Sequence, residues 1–266
     1  MKNIKVALLV LVPSVLLSSC GGDASPILEK YKNVLVDYAQ LLDPAVIRGD
    51  DGKFYLYVTE GNQKWRGPDT EAFESKTPIY ESTDMVNWTY KCDVVSVEES
   101  KNWKWSSTLS FWSPEIQKIN NKYVFYYSLG RMGGSNLSGV GCATSDTPYG
   151  PWTHIDDPVI TSEDVGNIDA IDPCVVVDNG KVYMFYGDYD GIGVIELDST
   201  GTAVKRGATP KMVAGKHGSA QDWNNYTAPY VVKINGKWCL FVSNGEWHNV
   251  QPTTPNLYHT VVFQST

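Results

Sequence analysis

One pattern occurs four times along the 266-residue chain, and it restricts the fold more than any other feature. Leu42-Asp43-Pro44-Ala45-Val46-Ile47 precedes Asp51-Gly52-Lys53-Phe54-Tyr55, and Trp112-Ser113-Pro114-Glu115-Ile116 precedes Asn120-Asn121-Lys122-Tyr123. Ile171-Asp172-Pro173-Cys174-Val175 precedes Asn179-Gly180-Lys181-Val182, and Thr227-Ala228-Pro229-Tyr230-Val231 precedes Asn235-Gly236-Lys237-Trp238. Each unit reads as an apolar strand, a tight turn and a second strand. Asp-Gly, Asn-Asn and Asn-Gly accept the positive φ that two-residue hairpins require. A third strand follows near Ile79, Val140, Ile192 and Val261, and a fourth near Val94, Val159 and Met212 in the first three units. Four antiparallel strands per unit, repeated at proline spacings of 70, 59 and 56, predict an all-β fold, a β-propeller with about four blades visible. The Pro is expected at the start of each innermost strand, where no ladder N–H is needed. That placement brings Asp43, Trp112, Asp172 and Thr227 toward one central axis. The fourth unit shows three strands before Thr266. The expectation is a ring C-terminally incomplete by about one blade, the alternative being a four-blade ring closed by a strand from residues 31–38.

The leader is separate from this pattern. Lys2 and Lys5 precede an apolar run over residues 6–17 and then Leu17-Ser18-Ser19-Cys20. The run is too short to span a bilayer and has the layout of a secretory signal. The ending resembles a bacterial lipobox, with Cys20 as the lipidated residue. The expected organisation is a lipoprotein signal peptide over 1–19, a tether and possible closing strand over 20–38, and the propeller over 39–266. The protein is then an exported bacterial lipoprotein, held by its lipid at a membrane in the periplasm or at the cell surface. Its formal net charge of −8 argues against nucleic acid as a partner, because phosphate binding needs a basic face. Cys92, Cys142, Cys174 and Cys239 fall in apolar runs of four different units without thiolate–metal spacing, and read as buried free thiols. His154, His217, His248 and His259 show no metal-ligand spacing either, so no metal site is expected from the residues.

The nine Trp and sixteen Tyr exceed ordinary core needs and suit stacking on sugar rings. Together these motifs make the chain resemble glycoside hydrolase family 43, the five-bladed propeller arabinanases, arabinofuranosidases and xylosidases, over about residue 41 to the end. Leu42-Asp43-Pro44 resembles the first-blade motif that carries the general base. Trp112-Ser113-Pro114-Glu115-Ile116 resembles the Trp-Ala-Pro-acid motif of the second blade. Asn167-Ile168-Asp169-Ala170-Ile171-Asp172-Pro173 resembles the third-blade motif, whose Asp before Pro tunes the acid and orients substrate. Residues 187–197, with Gly191-Ile192, are similar to the arabinanase branch. The fourth-blade motif carries the general acid as Glu two residues before Pro; here that position is Thr227.

The resemblance therefore implies hydrolysis of O-glycosidic bonds in arabinose- or xylose-containing plant polysaccharide or oligosaccharide, with inversion. Asp43 would be the base, Asp172 the residue that modulates the acid's pKa, and Thr227 the occupant of the acid position. Trp112, Glu115, Asn167 and Ile171 would contact substrate. No cofactor is required; a structural calcium accompanies the family, although its usual His position has no counterpart here. Glu115, Asp222 and Glu246 are the carboxyls that could replace the acid. The second reading is a glycan-binding propeller that cleaves weakly or not at all, because a hydroxyl is no proton donor of tuned pKa. Ser82-x-Asp84-x-x-x-Trp88 also resembles a sialidase Asp-box turn, but Arg48, Arg66, Arg131 and Arg206 do not cluster in sequence as an anionic sugar would demand. The Gly-His and Trp-Asp signature of WD propellers is absent.

Overall fold

The computed structural model describes residues 40–61, 77–95, 111–129, 138–166, 169–188, 191–215, 226–245 and 258–265. They form four successive antiparallel sheets, one per sequence unit, arranged as propeller blades. Blade 1 is β1 (Gln40–Arg48), β2 (Phe54–Gly61), β3 (Pro78–Ser82) and β4 (Thr89–Asp93), in that order. Blade 2 is β5 (Trp112–Ile119), β6 (Lys122–Leu129), β7 (Gly139–Ser145) and β8 (Thr153–His154), with β9 (Ile160–Thr161) also paired to β7. Blade 3 is β10 (Cys174–Asp178), β11 (Lys181–Tyr186), β12 (Ile192–Leu197) and β13 (Lys211–Ala214). Blade 4 is β14 (Tyr226–Ile234), β15 (Lys237–Asn244) and β16 (His259–Gln264). The leader, the tether and the segment proposed as a closing strand lie outside the described residues.

The turns follow from their residues. Asn120-Asn121, Asn179-Gly180 and Asn235-Gly236 all have positive φ, the signature of the two-residue hairpin that matches strand twist. Blade 1 departs from the expectation. Asp51-Gly52 sits in a five-residue loop closed by Gly49 N–H to the Lys53 carbonyl, and only Gly52 of the pair has positive φ. The extra residues bring Asp51 back onto its own strand, where Tyr55 donates to its carboxylate at 2.6 Å.

The prolines sit differently from the expectation, and the difference matters for the site. Pro44, Pro114 and Pro229 are not the first residues of their strands but lie inside β1, β5 and β14, at register shifts between Leu42 and Ala45, Trp112 and Glu115, and Thr227 and Tyr230. A proline has no N–H to offer the ladder, so the strand bulges there. The residue before each one is left-handed: Asp43 φ 51°, Ser113 φ 50°, Asp172 φ 53° and Ala228 φ 52°. Four non-glycine residues in that region cost on the order of 1–3 kcal/mol each. The left-handed residue before the proline recurs in all four blades, with a bulge in blades 1, 2 and 4 and Pro173 directly ahead of β10 in blade 3, and the equivalent residues are Asp43, Ser113, Asp172 and Ala228. Leu42, Trp112, Ile171 and Thr227 form the preceding column.

Packing between blades is apolar and tyrosine-rich. Tyr55, Tyr57 and Ile79 of blade 1 cluster with Ile116, Tyr123, Phe125 and Tyr127 of blade 2. Val140, Cys142 and Tyr126 of blade 2 cluster with Val175, Met184 and Tyr186 of blade 3. Cys174 and Ile192 of blade 3 cluster with Val231, Leu240 and Val242 of blade 4. Two phenolic ends are satisfied across the seams: Tyr57 OH donates to the Pro148 carbonyl, and Tyr126 OH donates to the Gly201 carbonyl at 2.8 Å. Cys92, Cys142, Cys174 and Cys239 are free thiols, the last three buried and Cys92 half-buried.

Candidate active site

The inner strands meet one another through the bulges. Ser113 N–H donates to Thr59 Oγ1 of β2 at 2.8 Å, and Asp172 N–H donates to Ser128 Oγ of β6 at 2.9 Å. In both cases a hydroxyl on the second strand of one blade holds the left-handed residue of the next. These bonds offset part of the bulge strain and fix where the side chains point. Ser113 Oγ donates to Asp172 Oδ1 at 2.6 Å and lies 3.5 Å from Asp43 Oδ2. Thr227 Oγ1 donates to Asp172 Oδ2 at 3.2 Å. Side chains from all four blades are thus joined around one carboxyl.

Burial pushes the Asp172 carboxyl up to about 7. The Ser113 hydroxyl opposes the rise, the charges of Asp188 and Asp43 add to it, and the Thr227 hydroxyl opposes it again. Asp172 consequently exchanges its proton near neutrality rather than at acid pH. Asp43 is exposed and open to solvent. Burial raises the Tyr258 phenol above its ordinary range, opposed by its hydrogen bond with Ser243 and reinforced by Asp172, Asp188 and Asp43. Asp188 is fixed beside this group because Gly187 N–H donates to the Ile171 carbonyl at 2.9 Å. Gly187 has φ +133°, and a Cβ there would meet the Gly191 carbonyl oxygen at 2.2 Å. Only glycine allows that approach.

Of the residues the sequence singled out, Asp43, Asp172 and Thr227 come together. Thr227 is buried beneath Asp172 rather than open to solvent. Trp112 is half-buried and pairs with Ser128 across β5 and β6. Ile171 is buried, and its carbonyl serves Gly187. Glu115 lies at the seam between the inner strands of blades 2 and 3, where Oε1 accepts Val175 N–H at 3.2 Å and Gln117 Nε2 at 3.0 Å. Burial pushes its carboxyl to about 7, and these two hydrogen bonds oppose the rise. Cys174 is its counterpart one blade on, with Sγ accepting Val231 N–H at 3.2 Å. Asn167, Asp222, Glu246, Trp103, Trp105 and Cys20 lie outside the described residues.

Ser113, Asp188 and Tyr258 were missed by sequence reasoning. Ser113 carried a signal, since it precedes a repeat proline as Asp43 and Asp172 do. Asp188 and Tyr258 carried none, because Asp188 follows the second strand of blade 3 and Tyr258 precedes the third strand of blade 4, away from the repeat prolines. Among the described residues no group of three His, Cys, Asp or Glu side chains is placed to hold a metal ion. Asp84 of the Asp-box-like turn accepts the Val86 and Asn87 N–H groups at 2.9 and 2.8 Å, so its role is to close the β3–β4 hairpin.

The model of the glycosyl hydrolases family 43 matches residues 31–266. The chain is 32% identical over 214 residues to the extracellular endo-α-(1→5)-L-arabinanase 1 of Bacillus subtilis, covering 76% of this chain and 59% of that protein. It is 30% identical over 173 residues to the arabinoxylan arabinofuranohydrolase of Bacillus subtilis, covering 58% of this chain and 32% of that protein. The chain therefore spans between a third and three fifths of the length of these relatives. Among solved structures it superposes on native Bacillus subtilis arabinanase with a TM-score of 0.63 at 25% identity, covering 85% of this chain and 72% of that one. It superposes on Cellvibrio cellulosa α-L-arabinanase with a TM-score of 0.64 at 24% identity, covering 86% and 71%. Propeller blades in series, an aspartate before the proline of blades 1 and 3, and a family match over nearly the whole chain agree: this chain belongs to the glycosyl hydrolases family 43.

Proposed function

We propose that the chain hydrolyses O-glycosidic bonds in arabinose-containing polysaccharides, in the manner of an arabinan endo-1,5-α-L-arabinosidase, with inversion at the anomeric carbon. The observation that supports this reading is the convergence of Asp43 and Asp172 on Ser113, with one carboxyl exposed and the other protonatable near neutrality. Inverting hydrolysis places its two carboxyls about 6.5–9.5 Å apart, whereas the shared serine holds the nearest Asp43 and Asp172 oxygens within about 6 Å, so the inverting assignment rests on the family membership and not on this spacing. Asp43 is the base, open to the water it activates. Asp172 bears the proton. Thr227 stands where the family motif carries its acid, and its hydroxyl holds Asp172 from below. The substrate is arabinan or an arabino-oligosaccharide, a reading supported by the arabinanases among the relatives. We also propose that the protein is exported and anchored through a lipid on Cys20, in the periplasm or at the cell surface.

The test compares substrates that differ in their need for a proton. Wild type should release reducing sugar from linear arabinan and cleave an aryl arabinofuranoside. Asp172→Asn should lose arabinan cleavage by ~10²–10⁴-fold and keep most of the aryl cleavage, because a phenolate of low pKa leaves without protonation. Thr227→Glu should raise arabinan cleavage. If wild type cleaves neither substrate while Thr227→Glu cleaves both, the protein binds glycans without cutting them.

A further inference from the structure

Ser113 has one hydroxyl proton and two carboxylates within reach. Oγ is 2.6 Å from Asp172 Oδ1 and 3.5 Å from Asp43 Oδ2. The side chain is buried, its backbone N–H is held by Thr59 Oγ1, and Oγ lies between the two acids. A hydroxyl can donate once and accept from others. When Asp172 is ionised, the shorter contact takes the proton. When Asp172 is protonated, it can donate to Ser113 Oγ instead, which frees the serine proton for Asp43.

We propose that Ser113 is a positioning residue that ties the ionisation of the base to the protonation of Asp172: its hydroxyl turns toward Asp43 when Asp172 carries a proton. The site then holds one proton and one negative charge as a single unit. The chain Asp172–OH to Ser113 Oγ–H to the Asp43 carboxylate stabilises the one arrangement that can hydrolyse a glycoside. The opposite arrangement, with Asp43 protonated and Asp172 ionised, runs the same chain in reverse, and the burial of Asp172 against the exposure of Asp43 disfavours it. The role in turnover rests on the hydrolase reading, whereas the coupling itself is measurable without substrate.

The other groups facing Asp172 among the described residues enter the pH dependence. Asp43 comes from β1, Ser128 from β6, Asp188 from the end of β11, Thr227 from β14, and Tyr258 from the approach to β16. Asp188 and Asp43 hold Asp172 protonated to higher pH, and Ser113 and Thr227 act the other way. Removing Ser113 should therefore raise the Asp172 midpoint, whereas removing a merely structural hydroxyl would leave it in place.

The experiment is ¹³C-carboxyl NMR of aspartate-labelled protein across pH 4–9, in wild type, Ser113→Ala and Ser113→Gly. Asp43 and Asp172 are assigned from Asp43→Asn and Asp172→Asn. Glycine relieves the left-handed backbone that alanine would strain, so a fold lost in one variant is kept in the other. In wild type the Asp43 resonance should show an inflection at the Asp172 midpoint. In both variants that inflection should fall by at least half and the Asp172 midpoint should rise by about one pH unit. The alkaline limb of arabinan cleavage should move by the same amount. An unchanged inflection and an unchanged midpoint in a folded variant would overturn the proposal. Coupling without any cleavage of substrate would instead overturn only the hydrolase reading.

Discussion

Replacing Glu115 by Gln should stabilise the protein at alkaline pH and not at acid pH. The carboxyl moves from 4.5 when unfolded to about 7 when folded, because the seam between blades 2 and 3 excludes water. Between those values the folded state keeps a proton that the unfolded state releases, so stability falls as pH rises. The loss is complete above about 7 and corresponds to roughly 3 kcal/mol at 1.36 kcal/mol per pH unit. Gln removes the charge and keeps the acceptor for Val175 N–H and Gln117 Nε2. Asp172 titrates in the same direction, but it is present in both proteins and cancels in the difference. Urea denaturation of wild type and Glu115→Gln at pH 5 and pH 8.5 measures it. The variant should gain about 2–3 kcal/mol over wild type at pH 8.5 relative to pH 5. An equal difference at both pH values would refute the argument, because burial would then not be holding the proton.

Other consequences follow from single contacts. Gly187→Ala puts a Cβ 2.2 Å from the Gly191 carbonyl oxygen and should cost about 2–4 kcal/mol by thermal or urea unfolding, with loss of site order around Asp188. Tyr126→Phe removes the hydrogen bond to the Gly201 carbonyl and should destabilise by about 1 kcal/mol. With Asp172 bearing the proton, aryl-independent cleavage of arabinan should decline as pH rises through about 7, and Asp172→Asn should abolish that limb.

The blades were legible because their signals are local. Asn-Gly and Asn-Asn turns, β-branched flanks and a proline every 56–70 residues each report on a few neighbouring positions. Asp43 and Asp172 were legible for the same reason, as aspartates before repeat prolines. The bulge was not. A proline in a strand can sit at its first residue or inside it, and the positive φ of Asp43, Ser113, Asp172 and Ala228 decides between them. That one-residue difference moved the equivalence from Trp112 to Ser113 and from Thr227 to Ala228. Asp188 and Tyr258 reach the site because Gly187 folds β11 against Ile171 and because β16 returns beside β15, distances that no motif spacing encodes. Thr227 was legible as a departure from a motif, but its burial beneath Asp172 was not, since it depends on packing between blades 3 and 4.

The most direct test of the account is reducing-sugar release from linear arabinan by the protein and by Asp43→Asn. Asn tolerates the left-handed backbone at 43 and cannot serve as a base, so the variant separates chemistry from folding. The account predicts clear release by wild type and a loss of ~10²–10⁴-fold in Asp43→Asn. Equal release by both would contradict it, because the water would then be activated by a group other than Asp43.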